Sequence, residues 1–292
     1  MNPVPNATPL PTERFLVFDC KRDACLGVVA TPVDARAVSD IGVVIIVGGP
    51  QYRAGSHRHF ALLARALARA GIPVLRFDYR GMGDSEGEVR TFEAVDDDLA
   101  AAINALQRET GVARIVLWGL CDAASAALMY APRDSRIAGV VALNPWARSP
   151  QGEASTRLKH YYLRRFVSRA FWHKLLSGNL DVRGGADGFV GAVRGATGES
   201  SQIGATAYLQ RMQEGWSRFQ RPVLFMLSGR DLTAREFEGW VAGDGKRVDL
   251  RRGQHSEVCL FPDADHTFSS RVWRDAVTER TIEWIGRISP RC

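Results

Sequence analysis

No stretch of this chain holds the roughly 18 consecutive apolar residues that a membrane-spanning helix needs. That excludes an integral membrane protein built on such helices. The opening MNPVPNATPLPTERF has early prolines and no apolar run of signal-peptide length. Cysteine is sparse: five residues, Cys20, Cys25, Cys121, Cys259 and Cys292, an odd number with no C-x-x-C spacing. A disulfide framework and a zinc site of paired cysteines are therefore not indicated, and reduced thiols in a cytoplasmic protein are the simplest account. No internal repeat and no nucleic-acid-binding module is visible. No metal or cofactor motif is seen either.

The 292 residues are 46% hydrophobic and 24% charged, which suits a soluble globular chain with a sizeable core. The net charge of +6 fits a solvated basic surface. It also fits attraction to an anionic partner, such as an acidic glycan, a phosphorylated carrier or a membrane surface.

Apolar runs and breakers alternate along the chain. Phe15–Cys20 and Cys25–Thr31 read as a hairpin around Lys21-Arg22-Asp23. Val43–Val47 reads as a strand, His59–Ala70 as a helix, Pro73–Phe77 as a strand and Phe92–Arg108 as a helix. Arg114–Trp118 and Ile137–Leu143 are strands flanking a helix at Asp122–Tyr130. This rhythm predicts a mostly parallel central sheet with helices on both faces. From Trp146 to about Gln220 no convincing strand occurs. RLKHYYLRRFVSRAFWHKLLSG reads there as basic amphipathic helix, and Asp181–Gly204 as a loose glycine-rich segment. Strands resume at Pro222–Leu227 and Glu257–Phe261, and a last helix fits Arg271–Ile288. The division predicted is an α/β core over residues 14–145 and 221–292, interrupted by a helical cap over residues 146–220.

The stretch VLWGLCDAASAAL sets a thiol, Cys121, at the corner between a strand and a helix, with Gly119, Ala123 and Ala124 around it. A nucleophile on such a corner stands above the sheet, and small neighbours let the chain fold tightly. The helix N-terminus should lower the thiol pKa. A buried structural cysteine is the plainer alternative. Downstream, LSGRDLTAREF puts Asp231 after one strand and FPDADHTFSS puts His266 after the next. The chain order nucleophile, acid, histidine matches a known triad order. Asp231 also reads as a helix N-cap and His266 as a surface loop residue. Asp263 and Asp265 compete for the acid's part, but they lie too close to His266 in sequence to orient its ring easily. An oxyanion hole needs the Asp122 N–H and a second donor from GGPQ. Pro50 has no N–H, so the second donor is Gly49 or Gln51. His57 and His59 read as solvated loop histidines, with contact to substrate as the alternative.

VGGPQYRAGSHRHF, RFDYRGMGDSEG, WGLCDAASAAL, SGRD and DADHTF together resemble the α/β-hydrolase superfamily. YRAGSHRHF, GLCDAASA and LKHYYLRRF…FWHKLLSG resemble more specifically the exosortase A system-associated hydrolases of the first type, from about Phe15 to the last helix. That resemblance implies an α/β-hydrolase fold with a cap, a Cys121–His266–Asp231 triad and a link to bacterial exopolysaccharide and protein sorting. It implies no particular substrate. Dienelactone hydrolases are similar in triad chemistry only. Ala123 departs from the glycine that many such corners carry.

The function this implies is cleavage of an acyl ester or thioester, small or carrier-bound, through an acyl-thioester intermediate. The alternatives are an acyltransferase with the same triad and a non-catalytic binding protein on the same fold. The cap aromatics Tyr161, Tyr162, Phe166, Phe171 and Trp172 read as packing. Arg157, Lys159, Arg164, Arg165 and Arg169 form a basic cluster that would draw in an anionic substrate or touch a membrane peripherally. Oligomeric state is left open.

Overall fold

The computed structural model of the 292-residue chain describes residues 11–33, 39–49, 51–147, 199–242 and 255–289. The cap aromatics and the basic cluster named above lie outside them. The chain divides into two compact units, residues 1–146 with 212–292, and residues 147–211.

The first unit is built on one eight-stranded sheet. Its strands are β1 (Thr12–Cys20), β2 (Asp23–Thr31), β3 (Ile41–Ile46), β4 (Val74–Phe77), β5 (Arg114–Leu120), β6 (Ile137–Leu143), β7 (Val223–Ser228) and β8 (Ser256–Phe261). The order across the sheet is β1-β2-β4-β3-β5-β6-β7-β8. The β1–β2 hairpin and the β2–β4 pair are antiparallel, and β4 through β8 run parallel. Among the described residues of the whole chain, the α-helices are α1 (His59–Arg69), α2 (Asp96–Thr110), α3 (Asp122–Tyr130), α4 (Glu199–Arg218), α5 (Leu232–Ala242) and α6 (Arg271–Ile288).

The central strands are buried along their whole length, as IGVVII in β3 and IAGVVAL in β6 show. A parallel sheet covered on both faces demands such continuous apolar runs rather than alternation. α2 is bracketed by local chemistry. Asp96, Asp97 and Asp98 sit in its first turn, where the helix dipole favours negative charge, and Gly111 closes it in the left-handed conformation at φ 72°. Before α2, a buried pair secures the loop that follows β4: Arg80 donates from Nε and Nη2 to the two carboxylate oxygens of Asp98, each at 2.9 Å.

Two expectations are corrected. The loose segment Asp181–Gly204 overlaps α4, which already runs from Glu199 through Gly204; the rest of that segment lies outside the described residues. His59 is not a solvated loop residue. It opens α1, is 2% exposed and packs edge-on against the buried Trp118 at 5.7 Å between ring centres. Burial first, and the Arg274 charge second, pull its imidazole from 6.5 down to about 4. The fold therefore holds His59 neutral, while the unfolded chain protonates it near pH 6.5. Stability should be full above that pH and fall as pH drops toward about 4, by about 3 kcal/mol in all. Urea unfolding at a series of pH values checks this, and His59→Phe should flatten that part of the profile.

Candidate active site

β5 and α3 meet at Cys121 with no linker between them. The residue holds φ 64° and ψ −126°, a conformation that costs a non-glycine residue of order 1–3 kcal/mol. The surroundings hold it there. Cys121 N–H donates to Leu143 O at 2.9 Å, and its carbonyl accepts from Ala124 N at 3.0 Å and Trp146 N at 3.2 Å. The tightness explains Gly119: a methyl there would lie 2.6 Å from the backbone C and O of Ala123. Ala123 itself is buried in the turn without needing to be glycine.

Asp231 follows β7 and His266 follows β8, so both leave the carboxyl ends of strands on the same edge of the sheet as Cys121. Ligand crevices of open parallel sheets lie along that edge. His266 Nδ1 stands 2.8 Å from Asp231 Oδ2. Asp231 also caps α5, its oxygens accepting from Thr233 N at 3.2 Å and Ala234 N at 3.1 Å. Its rivals are engaged elsewhere. Asp263 pairs with Arg230 at 2.8 Å, and Asp265 accepts the Ser269 N–H at 3.0 Å together with the Ser269 hydroxyl.

The thiol departs from expectation. Its pKa is raised well above the ordinary value, first by burial and then by the Asp122 carboxylate, with Asp231 adding a smaller push. The Asp122 backbone N–H donates toward the sulfur and acts the other way, but it is outweighed. The helix N-terminus thus contributes the predicted effect without deciding the outcome, because desolvation and two carboxylates oppose it. At neutral pH the resting sulfur is a thiol.

The loop after β3 also differs from a simple donor pair. Gly49 N–H donates to Asp122 Oδ2 at 2.9 Å, and Gln51 N–H reaches Gly48 O at 3.4 Å.

Sequence reasoning missed Asn144, directly after β6. It adopts φ 42°, which asparagine tolerates better than most residues. Its buried amide donates to Ser228 Oγ at 2.9 Å and to His266 O at 3.0 Å, and accepts from Ser228 N at 2.8 Å. Ser228 Oγ in turn donates to Asp265 O at 2.9 Å. The strand ends of β6 and β7 therefore hold the histidine loop through one side-chain amide. The sequence signal was a lone polar residue closing an apolar strand, ALNPW. Asn144→Ala would strand the Ser228 N–H and the His266 carbonyl, and should cost about 3 kcal/mol. Urea denaturation measures this, and imidazole line broadening in the NMR spectrum should report a loosened His266.

One grouping among the described residues has the donors of a metal site. Cys20, Cys25 and Asp98 offer ligand atoms within 4.8 Å of one another. The chemistry does not fit. Both Asp98 oxygens already serve Arg80, so this carboxylate is not free to take a metal.

With this geometry in hand, the relatives are informative. Residues 43–279 match the Alpha/beta hydrolase family, and the chain belongs to it. The fold is shared with the esterase Pf2001 of Pyrococcus furiosus, at a TM-score of 0.63 and 17% identity over 99% of this chain and 98% of that one. Est1E of Butyrivibrio proteoclasticus, solved with ferulic acid bound, superposes at 0.62 with 14% identity over 93% and 99%. A dienelactone hydrolase of Anabaena variabilis superposes at 0.59 with 14% identity over 96% and 99%. Among curated proteins, human Protein ABHD12B is 35% identical over 77 residues, which is 26% of this chain. The match spans only 20% of that relative's length. No helix among the described residues is long and apolar enough to cross a membrane.

Proposed function

We propose that the protein hydrolyses acyl esters or thioesters through Cys121, His266 and Asp231. The observation that carries this reading is the 2.8 Å pairing of His266 Nδ1 with Asp231 Oδ2, on the sheet edge where Cys121 holds its strained corner. The esterases that share the fold support the substrate class.

The chemistry follows from the residues. His266 Nε2 removes the thiol proton as sulfur bonds to the acyl carbon, and the carbonyl electrons move onto oxygen. Asp122 N–H and an amide of the Gly48–Gln51 loop stabilise that oxyanion. Collapse breaks the bond to the leaving alcohol or thiol, which takes its proton from His266. Water then attacks the acyl thioester while His266 takes its proton. The acid departs, and sulfur recovers the proton. Because the resting sulfur is protonated, His266 acts as a general base rather than as half of a standing ion pair. A thiolate leaves readily, so activated esters, lactones and thioesters suit it better than amides.

A cytoplasmic role in bacterial exopolysaccharide or exosortase-linked metabolism, with a small or carrier-bound acyl substrate, rests on the resemblance of the sequence strings quoted above. Acid-quenching the protein during turnover of p-nitrophenyl acetate, then peptide mass mapping, tests the mechanism. The acyl mass should appear on the peptide bearing Cys121. Turnover with the acyl group on another residue would overturn it.

A further inference from the structure

As the residue following the nucleophile, Asp122 enters the reading above through its backbone N–H alone. Its carboxylate has a separate placement. Oδ1 accepts from Ala123 N at 2.9 Å, and Oδ2 accepts from Gly49 N at 2.9 Å. The start of α3 and the loop after β3, more than seventy residues apart in sequence, are tied together by one side chain. The seat is made for it. A methyl on Gly48 would lie 2.3 Å from Asp122 Oδ1 and 2.8 Å from Leu120 O, so only glycine lets the loop approach this closely.

We propose that the Asp122 carboxylate is a positioning clamp: it claims the Gly49 N–H, fixes the Gly48–Gln51 loop against the nucleophile's helix, and leaves the Gln51 N–H as that loop's donor to the substrate oxygen. The inference rests on the acyl-transfer reading above and names the second donor that the sequence left open. Gly49 is committed by a well-formed charge-assisted bond. Pro50 has no N–H. Gln51 N–H meets Gly48 O at 3.4 Å, a long contact that a developing oxyanion outcompetes.

The clamp sets a negative charge beside the sulfur. Among the described residues, the carboxylates whose fields reach Cys121 are those of Asp122 and Asp231, the latter partnered by His266. Tyr79, buried just after β4, also lies in the field of Asp122. Removing the Asp122 charge should therefore make the thiol more reactive while it loosens the oxyanion loop. A side chain that only supported the fold would not move the two readouts in opposite directions.

The test uses the full chain with Asp122→Ala and Asp122→Asn. Three readouts apply: iodoacetamide alkylation of Cys121 at pH 7 with peptide mass mapping, kcat on p-nitrophenyl acetate, and amide hydrogen exchange at Gly49. Alkylation should quicken in both variants, because the carboxylate that raises the thiol pKa is gone. In Asp122→Ala, kcat should fall about 100-fold, the scale of one misplaced oxyanion donor, and Gly49 should exchange faster. Asp122→Asn keeps an acceptor oxygen and should retain more of kcat. An Asp122→Ala protein with kcat within about threefold of wild type, slower alkylation, or unchanged Gly49 protection overturns the clamp. Wild-type protein that turns over neither p-nitrophenyl acetate nor an acyl thioester defeats the acyl-transfer reading instead. Alkylation and Gly49 exchange then still decide whether Asp122 clamps the loop.

Discussion

Cys121→Ala should reduce ester turnover by a factor on the order of 10⁵–10⁶. On the proposed mechanism alanine removes the atom that bonds to the acyl carbon, so no acyl-enzyme forms and His266 has no thiol proton to take. Some acceleration over water should survive, because the oxyanion donors and the binding surface remain. The fold should survive as well. The backbone bonds that hold the corner, from Cys121 N to Leu143 O and from Ala124 N and Trp146 N to Cys121 O, do not involve the side chain. A melting temperature near that of wild type, together with lost turnover of p-nitrophenyl acetate, is the expected pair of results. Equal rates for the two proteins would remove the nucleophile assignment. Cys121→Ser is a useful companion. It keeps a hydroxyl at the same corner but raises the demand on His266, since an alcohol gives up its proton far less readily than a thiol.

Asp231→Asn should lower kcat by about 10⁴-fold, the scale seen when a triad carboxylate becomes an amide and the histidine is held in the wrong tautomer. On the proposed mechanism the carboxylate, 2.8 Å from His266 Nδ1, holds the ring proton there and leaves Nε2 free to act as a base. An asparagine amide facing Nδ1 donates instead, so the ring proton moves to Nε2 and the thiol proton has no acceptor. Because burial and the Asp122 carboxylate still raise the Cys121 pKa in this variant, a missing base is felt in full. Asp231 also caps α5, but asparagine keeps an acceptor for one of those two N–H groups. The variant should lose activity far more than stability. Asp265→Asn is the control: its carboxylate serves Ser269, so it should keep most of the turnover. Steady-state kinetics of the two variants on one ester decide between the acids, and the opposite ranking would transfer the acid's part to Asp265.

Much of this architecture is written locally. Buried parallel strands leave continuous apolar runs, and β3, β5, β6 and β7 show them within a few residues of where the sequence puts them. Helix α3 has the bounds predicted, Asp122–Tyr130, because the corner before it and the small residues within it are local signals. Helix α5 did not announce itself beyond a cap at Asp231, and the start of α4 falls inside a segment whose glycines read as loop. Glycine weakens a helix by only about 1 kcal/mol, which packing readily overrides.

The amino-acid order by itself determined the kind of sheet, the corner that presents Cys121, and the chain order of thiol, carboxylate and imidazole. These depend on residue type and short-range spacing. Only the tertiary structure decided that Asp231 rather than Asp263 or Asp265 meets His266, that His59 lies in the core, that Asn144 holds the histidine loop, and that the thiol is protonated at rest. Each of those depends on through-space distance and on loss of water. Both arise when strands far apart in the chain end side by side.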